Sequence, residues 1–558
     1  MGVRKAKTGK KASVAKSIFS NRYVIYGLIP LLFYFTFFCF YTWPWIIHFN
    51  TRFFTDMGDG YQNVWNMWWV NYSITHLHQL PWHTTYLHYP YGTSLLGQTL
   101  NPFNGFVAIV LLKVFSLVQS FNIMVIFSFV FGGLTTFWLC HFFSKRYIPS
   151  LIGGFIFTFS SYHMAHAIGH MQLVSLEWIP LFILLWWKLL TKPRYKTAVA
   201  AAIVLLLVLL CDYYYFLYCV VSGGVIFIYL WHKRAIPPIK NKSTYKPLIL
   251  FVIVSLIIVA PLPLALLHEN AQDPLQGAHD DRMFSADLLT TIIDGGFWHF
   301  ASLTHFYWKF IKVYIAESSI YFSLSVIILV VIAAWKRNKI HRDTVFWLTL
   351  GAIFYILSLG PRLRVFNYSI NHAPLPYALL EKLIPTLKLS GDPDRIIVMS
   401  FLAAAVLASL VLSKLNLSKR KGKAILAIFS IVLFLELWPG PYAANPAVEP
   451  AYVLALEKLP YGGVMDNAAI SQSGQLYHQI GFLKPMVLGY ISRTPTSVMN
   501  KDNQLLISIT KTNYGSLCSV YHTRYLTEPE SRQMNFKYPI IYQDSYAKIY
   551  DLKTSNSC

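Results

Sequence analysis

Residues 198–231 read AVAAAIVLLLVLLCDYYYFLYCVVSGGVIFIYLW, an apolar run whose single formal charge, Asp212, falls at its midpoint beside Tyr213, Tyr214 and Tyr215. Roughly 20 apolar residues in a helix cross a hydrocarbon layer of about 30 Å, so the run is long enough to cross twice, with Asp212 at the outer tip of the hairpin. A carboxylate there is a functional-site candidate; a helix-breaking tip capped by Asp is the plain alternative. Reading outward from this hairpin, residues 248–267, 321–334 and 425–437 carry almost no charge either. With 558 residues, 55% of them hydrophobic and only 13% charged, the chain is too apolar for water to be its main solvent.

The net charge of +23 does not point to nucleic acid, because the Lys and Arg residues sit in short clusters between apolar segments and not on one face of a domain. Such clusters follow the bias of cytoplasmic loops toward basic residues. The chain opens with Arg4, Lys5, Lys7, Lys10, Lys11, Lys16 and Arg22. The apolar residues 23–48 that follow are too long and aromatic for a removed signal peptide, and no small-residue cleavage site comes after them, so they read as a retained first span. With the basic end in the cytoplasm, residues 49–101 face outward and hold only Arg52 as a basic residue. Lys145 with Arg146, and the basic groups at 188–196, 233–246, 336–342 and 414–423, all then fall inside, provided that 102–118 lies on the outer face without crossing. This predicts about eleven spans, near residues 23–48, 121–143, 148–162, 173–190, 198–214, 215–231, 247–267, 318–335, 344–359, 395–412 and 424–440, with the N-terminus inside and the C-terminus outside.

From residue 441 the composition turns polar and aromatic, with turn chemistry at Pro460-Tyr461-Gly462-Gly463 and short alternating apolar runs. The expected architecture is a polytopic α-helical membrane protein with a basic cytoplasmic tail (1–22), a transmembrane body (23–440) and a small α+β extracytoplasmic domain (441–558) that starts with a helix near Pro450 to Lys458. Cys39, Cys140, Cys211 and Cys219 lie inside apolar segments, and only Cys518 and Cys558 lie in polar sequence. No metal knuckle or spaced disulfide framework is implied.

Chemistry-bearing residues concentrate in the outer loops. The first loop carries Asp56 and Asp59 between glycines, followed by Trp65, Trp68 and Trp69 at the spacing of an interfacial helix. Carboxylates directly after a span lie at the membrane surface, where they can act on a lipid head group; an N-cap by Asp59 with an ordinary aromatic belt is the bland reading. His76, His78, His83 and His88 follow at spacings that match no compact ligand motif, so interfacial polarity is the simpler account and phosphate or metal binding the sharper one. His163, His166 and His170 would share one face of a helix, which suits a polar cavity, a phosphate or a metal, and Glu177 nearby is costly in lipid unless it faces a cavity or a partner. Farther on come Asp280, Asp281, Arg282, Asp294 and His299, then Arg362, Arg364, Lys388, Asp392, Asp394 and Arg395. Basic residues outside run against the loop bias, and an anionic phosphate explains the arginines; for Lys388 a solvated surface suffices.

In their order and topology these features resemble the GT-C superfamily of multispanning membrane glycosyltransferases, particularly large bacterial members with a C-terminal extracytoplasmic domain. The resemblance rests on Gly58-Asp59-Gly60 before Trp65, the juxtamembrane segment from Asn101-Pro102-Phe103, the polar second loop from His163 to Glu177, Asp392-Pro393-Asp394-Arg395 before a span, and Gly489-Tyr490-Ile491-Ser492-Arg493 in the tail. It implies a sugar donor on a polyprenyl phosphate, attacked with inversion at the outer face, and a first-loop carboxylate as general base: Asp59, with Asp56 as second choice. It implies that Arg282, Arg362, Arg364 or Arg395 would steady the lipid-phosphate leaving group, with His88, His163, His166, His170, Glu177 and Asp212 as further substrate-binding candidates. Some relatives use a divalent cation, Mg2+ or Mn2+, held by outer-loop carboxylates; here the second-loop acid of some branches is replaced by His residues and Glu177. The acceptor would be a cell-envelope glycan, lipid or protein. The alternatives are a transporter or flippase of lipid-linked glycans, against which the outer-loop placement of the charges speaks, and a non-catalytic envelope assembly protein.

Overall fold

The computed structural model describes residues 21–238, 241–311, 315–389, 391–510, 514–533 and 538–553. Most of the basic tail and Cys558 lie outside the described residues. Each of the eleven apolar stretches carries helix: Val24–Tyr41, Leu117–Ser144, Tyr147–Thr158, Trp178–Thr191, Tyr195–Cys211, Tyr213–His232, the pair Lys242–Ile258 and Pro261–Gln272, Leu324–Trp335, Thr344–Ser358, Val398–Leu412 and Arg420–Glu436. Among the described residues, four helices are long and apolar enough by themselves to cross a membrane, namely Val24–Tyr41, Leu117–Ser144, Tyr213–His232 and Pro393–Leu412. The Lys242–Gln272 pair makes a fifth if its 47° bend belongs to one span; Pro261 and Pro263, lacking amide donors, sit at the bend. Pro102–Leu111 has 10 residues, about half of what a crossing takes.

The Val398–Leu412 helix is the axis of the bundle. Its sequence, VMSFLAAAVLASLVL, is rich in small side chains, which let neighbouring backbones come close. It packs against Thr344–Ser358, Tyr147–Thr158 and Leu324–Trp335, and Ser400 Oγ donates to Gly351 O at 2.9 Å. A second close contact holds the first helix: Tyr34 lies in a cradle formed by Gly133 and Gly154, where a Cβ would come within 2.5 and 2.0 Å of its ring and hydroxyl. Tyr34 also donates to Leu151 O at 3.0 Å.

Outside the bundle, the Asp59–Thr75 helix departs from the interfacial reading. Trp65 and Trp69 are fully buried and Trp68 nearly so, and Trp65 Nε1 donates to Gln479 Oε1 at 2.7 Å. The tryptophan face packs on the Gln472–Phe482 helix of the tail, not on lipid. Within 441–558 a four-stranded sheet runs in the order Ile540–Gln543, Ala547–Asp551, Thr523–Pro529, Gly463–Asp466, antiparallel except for the last pair. Helices Ala451–Lys458, Gln472–Phe482 and Thr496–Thr510 accompany it. Two short ladders tie this tail to the loops: Arg52–Phe53 with Asn445–Pro446, and Leu275–Gln276 with Thr494–Pro495. Cys518 is disulfide-bonded, while Cys39, Cys140, Cys211 and Cys219 are free.

Candidate active site

Where the first loop, the 160–177 turn, the hairpin tip, the loop before Arg395 and the tail converge, they enclose a cavity of about 280 Å³. Asp59 enters it from a tightly made turn. Asp56 Oδ1 accepts from the amides of Gly58 (3.1 Å) and Gly60 (2.8 Å), and at Gly60 any Cβ would collide with Thr55 Oγ1 at 2.1 Å. Asp56 therefore shapes the turn and is absent from the cavity lining. Asp59, the first residue of the helix it opens, keeps a side chain that is 47% exposed.

A continuous file of polar groups runs from Asp59 along the cavity. Asp59 Oδ2 lies 3.0 Å from His170 Nε2, His170 Nδ1 3.1 Å from His166 Nδ1, and His166 Nε2 3.5 Å from Glu317 Oε2. Glu317 accepts from Arg395 Nη2 at 2.6 Å and Nε at 3.2 Å. Arg395 Nη1 lies 3.0 Å from Asp392 Oδ2, whose Oδ1 is 2.6 Å from His279 Nδ1. Gly391 makes the last step possible: its φ is +71° and a Cβ there would meet His279 O at 2.1 Å, so only glycine brings the two loops this close.

The file assigns its own protons. Burial pushes the His170 imidazole down, but the Asp59 hydrogen bond and the charges of Glu317 and Asp59 more than offset this and raise it. Burial pushes the Asp59 carboxyl up, and His170 holds it below the ordinary carboxylate value all the same. His166 is pushed down to about 3 by burial and is therefore neutral. Glu317, despite burial, is held well below the ordinary range by the Arg395 guanidinium and the two histidines. Two facing Nδ1 atoms need one proton between them. One N–H therefore joins the two rings, and His166 Nε2, facing Glu317, completes no hydrogen bond.

The remaining candidates fall in different places. Asp212 lines the cavity and also caps the following helix, its Oδ1 accepting from Tyr214 N (2.8 Å) and Tyr215 N (3.0 Å). Helix Ser161–His166 stops before His170, so the three histidines do not share one helical face. His163 is stacked on Phe129 at 3.9 Å with its nitrogens 2.7 and 2.9 Å from Thr158 O and Val174 O, off the cavity wall. Glu177 is buried, accepts from Ser128 Oγ at 2.6 Å, and is likewise off the wall. His88 pairs with Asp502 of the tail at 3.0 Å. Of the four arginines, Arg395 lines the cavity; Arg282 is exposed in its loop, and Arg362 and Arg364 lie on the Arg362–Val365 strand, Arg364 donating to Met283 O and to Asn367. Glu317 and His279 are members of the site that sequence reasoning did not select, and Asp392 and Arg493 stood only inside two of the motifs that carry the resemblance, with no role given to them. Glu317 had a signal, being the lone acid ahead of the apolar residues 318–335, the same cost argument that singled out Asp212.

His166, His170 and Glu317 place ligand atoms within 4.8 Å of one another, and His166 Nε2 is a buried nitrogen without a hydrogen bond. Two imidazoles and one carboxylate fit a borderline cation such as Mn2+ or Zn2+ better than Mg2+, which demands oxygen ligands.

No curated protein matches the chain. Among solved structures, ArnT from Cupriavidus metallidurans bound to undecaprenyl phosphate superposes with a TM-score of 0.50 at 10% identity, over 93% of this chain and 98% of that one. Arabinofuranosyltransferase AftD from Mycobacteria superposes with a TM-score of 0.52 at 10% identity, over 95% of this chain and 41% of that one. Likeness at such identity is likeness of fold, and the fold is that of the GT-C glycosyltransferases. The model of the family described as Domain of unknown function (DUF6311) matches residues 30–438, most of the chain, and the chain belongs to that family.

Proposed function

We propose that the protein is a glycosyltransferase that moves a sugar from a polyprenyl-phosphate carrier to an alcohol at the extracytoplasmic face of the membrane. The observation that carries this reading is the half-open Asp59 carboxylate in the same cavity as Arg395 and Arg493. A general base needs only to reach the acceptor proton in its ionised form, and His170 keeps Asp59 ionised and oriented. Asp59 takes the proton as the acceptor oxygen attacks the anomeric carbon. The bond from that carbon to the phosphate oxygen breaks, and its electron pair leaves with the phosphate. The charge that develops there meets Arg395 and Arg493. Leu209, Leu210 and Leu262 on the same lining give the carrier's hydrocarbon chain an apolar approach.

A divalent cation, when held by His166, His170 and Glu317, would add positive charge beside the departing phosphate. The outward orientation is supported by the disulfide at Cys518, since such bonds persist in oxidising compartments. ArnT, whose structure holds undecaprenyl phosphate, supports the carrier class. The test is Asp59→Asn in membranes, at unchanged expression, assayed for sugar transfer from a polyprenyl-phosphate sugar, with envelope glycans compared with and without the protein. Transfer should fall at least about a hundredfold; full activity would remove the assigned base.

A further inference from the structure

The lining of the cavity is not uniform. Asp59, Glu317, Arg395 and Arg493 give one part of it charge, but a second part of the wall is neutral. Gln62, Thr99 and Ser492 come from three separate stretches of the chain and meet there: Gln62 Nε2 donates to Ser492 Oγ at 2.9 Å and to Thr99 Oγ1 at 3.4 Å, and the two hydroxyls lie 3.2 Å apart. Once these bonds are made, one hydroxyl proton and a lone pair still remain for a ligand. Gln62 lies three residues after Asp59 on the same helix, so this cluster and the base share a face.

Beside the cluster, Asn63 and Gln172 also line the cavity, and each has a buried amide oxygen that accepts no hydrogen bond. Asn63 cannot turn its amide to fill the gap, because its nitrogen already donates to Asp59 O (2.8 Å) and Gly169 O (2.9 Å). The unfilled capacity of this wall carries no formal charge and includes a hydroxyl donor as well as acceptors, which suits a neutral polyol. Trp82 and Tyr490, both half-buried, add rings to the same lining. Aromatic faces next to amides and hydroxyls match one chemical class well, a sugar ring with its apolar C–H face and its hydroxyl rim.

We propose that this neutral wall is the acceptor subsite and that it takes a saccharide, so that the alcohol deprotonated by Asp59 belongs to a glycan and not to a protein or a phospholipid. The inference rests on the proposed transferase reading and deepens it. The sugar of the donor offers the same hydroxyls, and the position of Gln62 and Asn63 beside the base assigns the wall to the acceptor.

The test uses the full chain in lipid nanodiscs, applied to an array of neutral oligosaccharides alongside Ser- and Thr-containing peptides, with binding of polyprenyl-phosphate mannose measured separately. The variants are Thr99→Val with Ser492→Ala, which keeps shape and removes the hydroxyl pair, and Tyr490→Leu, which removes a ring; thermal unfolding confirms that each is folded. The wild type should bind at least one class of oligosaccharide. The double variant should bind it about tenfold more weakly, while its affinity for polyprenyl-phosphate mannose is unchanged. Binding of peptides alone, binding of no oligosaccharide, or oligosaccharide binding equal in the double variant would overturn the inference. A loss confined to polyprenyl-phosphate mannose would overturn it too, by giving the wall to the donor. Asp59→Asn separates the two readings: it should bind oligosaccharide like the wild type, and if it also kept full transfer activity the proposed base would fall while the saccharide wall stood.

Discussion

Arg395 holds two buried carboxylates, Glu317 and Asp392, and is itself nearly sealed from solvent. Removing one partner of a buried pair leaves an uncompensated charge, at a cost of about 3–5 kcal/mol. Arg395→Met orphans both acids and should cost at least that much. Glu317→Gln leaves Arg395 its bond to Asp392 and should cost about 1–3 kcal/mol. Thermal unfolding in detergent checks the ranking, and equal losses would mean that Asp392 does not share the guanidinium. The Asp59–His170 pair gives a pH prediction. Because the folded Asp59 value is depressed, its contribution is present above the unfolded carboxylate value and is lost as pH falls through the folded one. Because the folded His170 value is raised, its contribution is complete below the unfolded imidazole value and is lost as pH rises through the folded one. The pair is therefore intact between the depressed Asp59 value and the raised His170 value. In His170→Gln the carboxyl loses the partner that lowers it, so the acid limb of the kcat/KM profile should move to higher pH. An acid limb that stayed put would show that Asp59 does not set it.

At the scale of elements, the close approach of the first helix to its neighbours makes a second-site prediction. Gly154→Ala drives a methyl group into Tyr34 Oη, and overpacking of this kind costs about 1–3 kcal/mol. Tyr34→Phe removes the nearest of three colliding atoms, leaving Gly133 O and the ring carbon Cζ at 2.7 Å, at the loss of its bond to Leu151 O. The double variant should thus be more stable than the sum of the single losses, whereas additive melting temperatures would place the strain elsewhere. Helices of this kind were legible in the sequence because lipid tolerates so few charges: Lys145 with Arg146, or the basic residues at 336–342, mark the ends of apolar runs. The tryptophan periodicity at 65, 68 and 69 was equally legible, but its burial was not, since the partner Gln479 lies some 400 residues away. The site divides in the same way. Asp59, His170, Asp212 and Arg395 could be picked out locally, by cost or by bias. His163 could not be rejected, because its ring is held off the wall by the carbonyls of Thr158 and Val174, which the spacing does not reveal. Arg493 stood in a motif of the resemblance, but its place beside Arg395 could not be read locally, because the Leu275–Gln276 and Thr494–Pro495 ladder brings the tail to the cavity.

The whole molecule raises the question of what the tail is for. Residues 441–558 read as a separate domain, yet they supply Tyr490, Ser492 and Arg493 to the cavity and the helix that covers Trp65 and Trp69. A chain ending at residue 440 would bare that aromatic face to water, and an apolar patch of this kind makes a protein aggregate. Truncation should therefore abolish a monodisperse, folded preparation as well as activity, and size-exclusion chromatography of the truncated chain in detergent decides the point. A stable truncated bundle would make the tail an accessory. The same joint lets one labelling experiment orient the molecule. Ile470 is 84% exposed on the tail and Ser418 is exposed in the basic 414–423 loop. A membrane-impermeant maleimide applied to intact cells should modify Ile470→Cys at once and Ser418→Cys only after permeabilisation. Since Asp59 and Arg493 line one cavity, the tail and the base must lie on one side of the membrane; labelling in the reverse order would put both in the cytoplasm, where Cys518 would not keep its disulfide and the proposed transfer could not take place at the outer face.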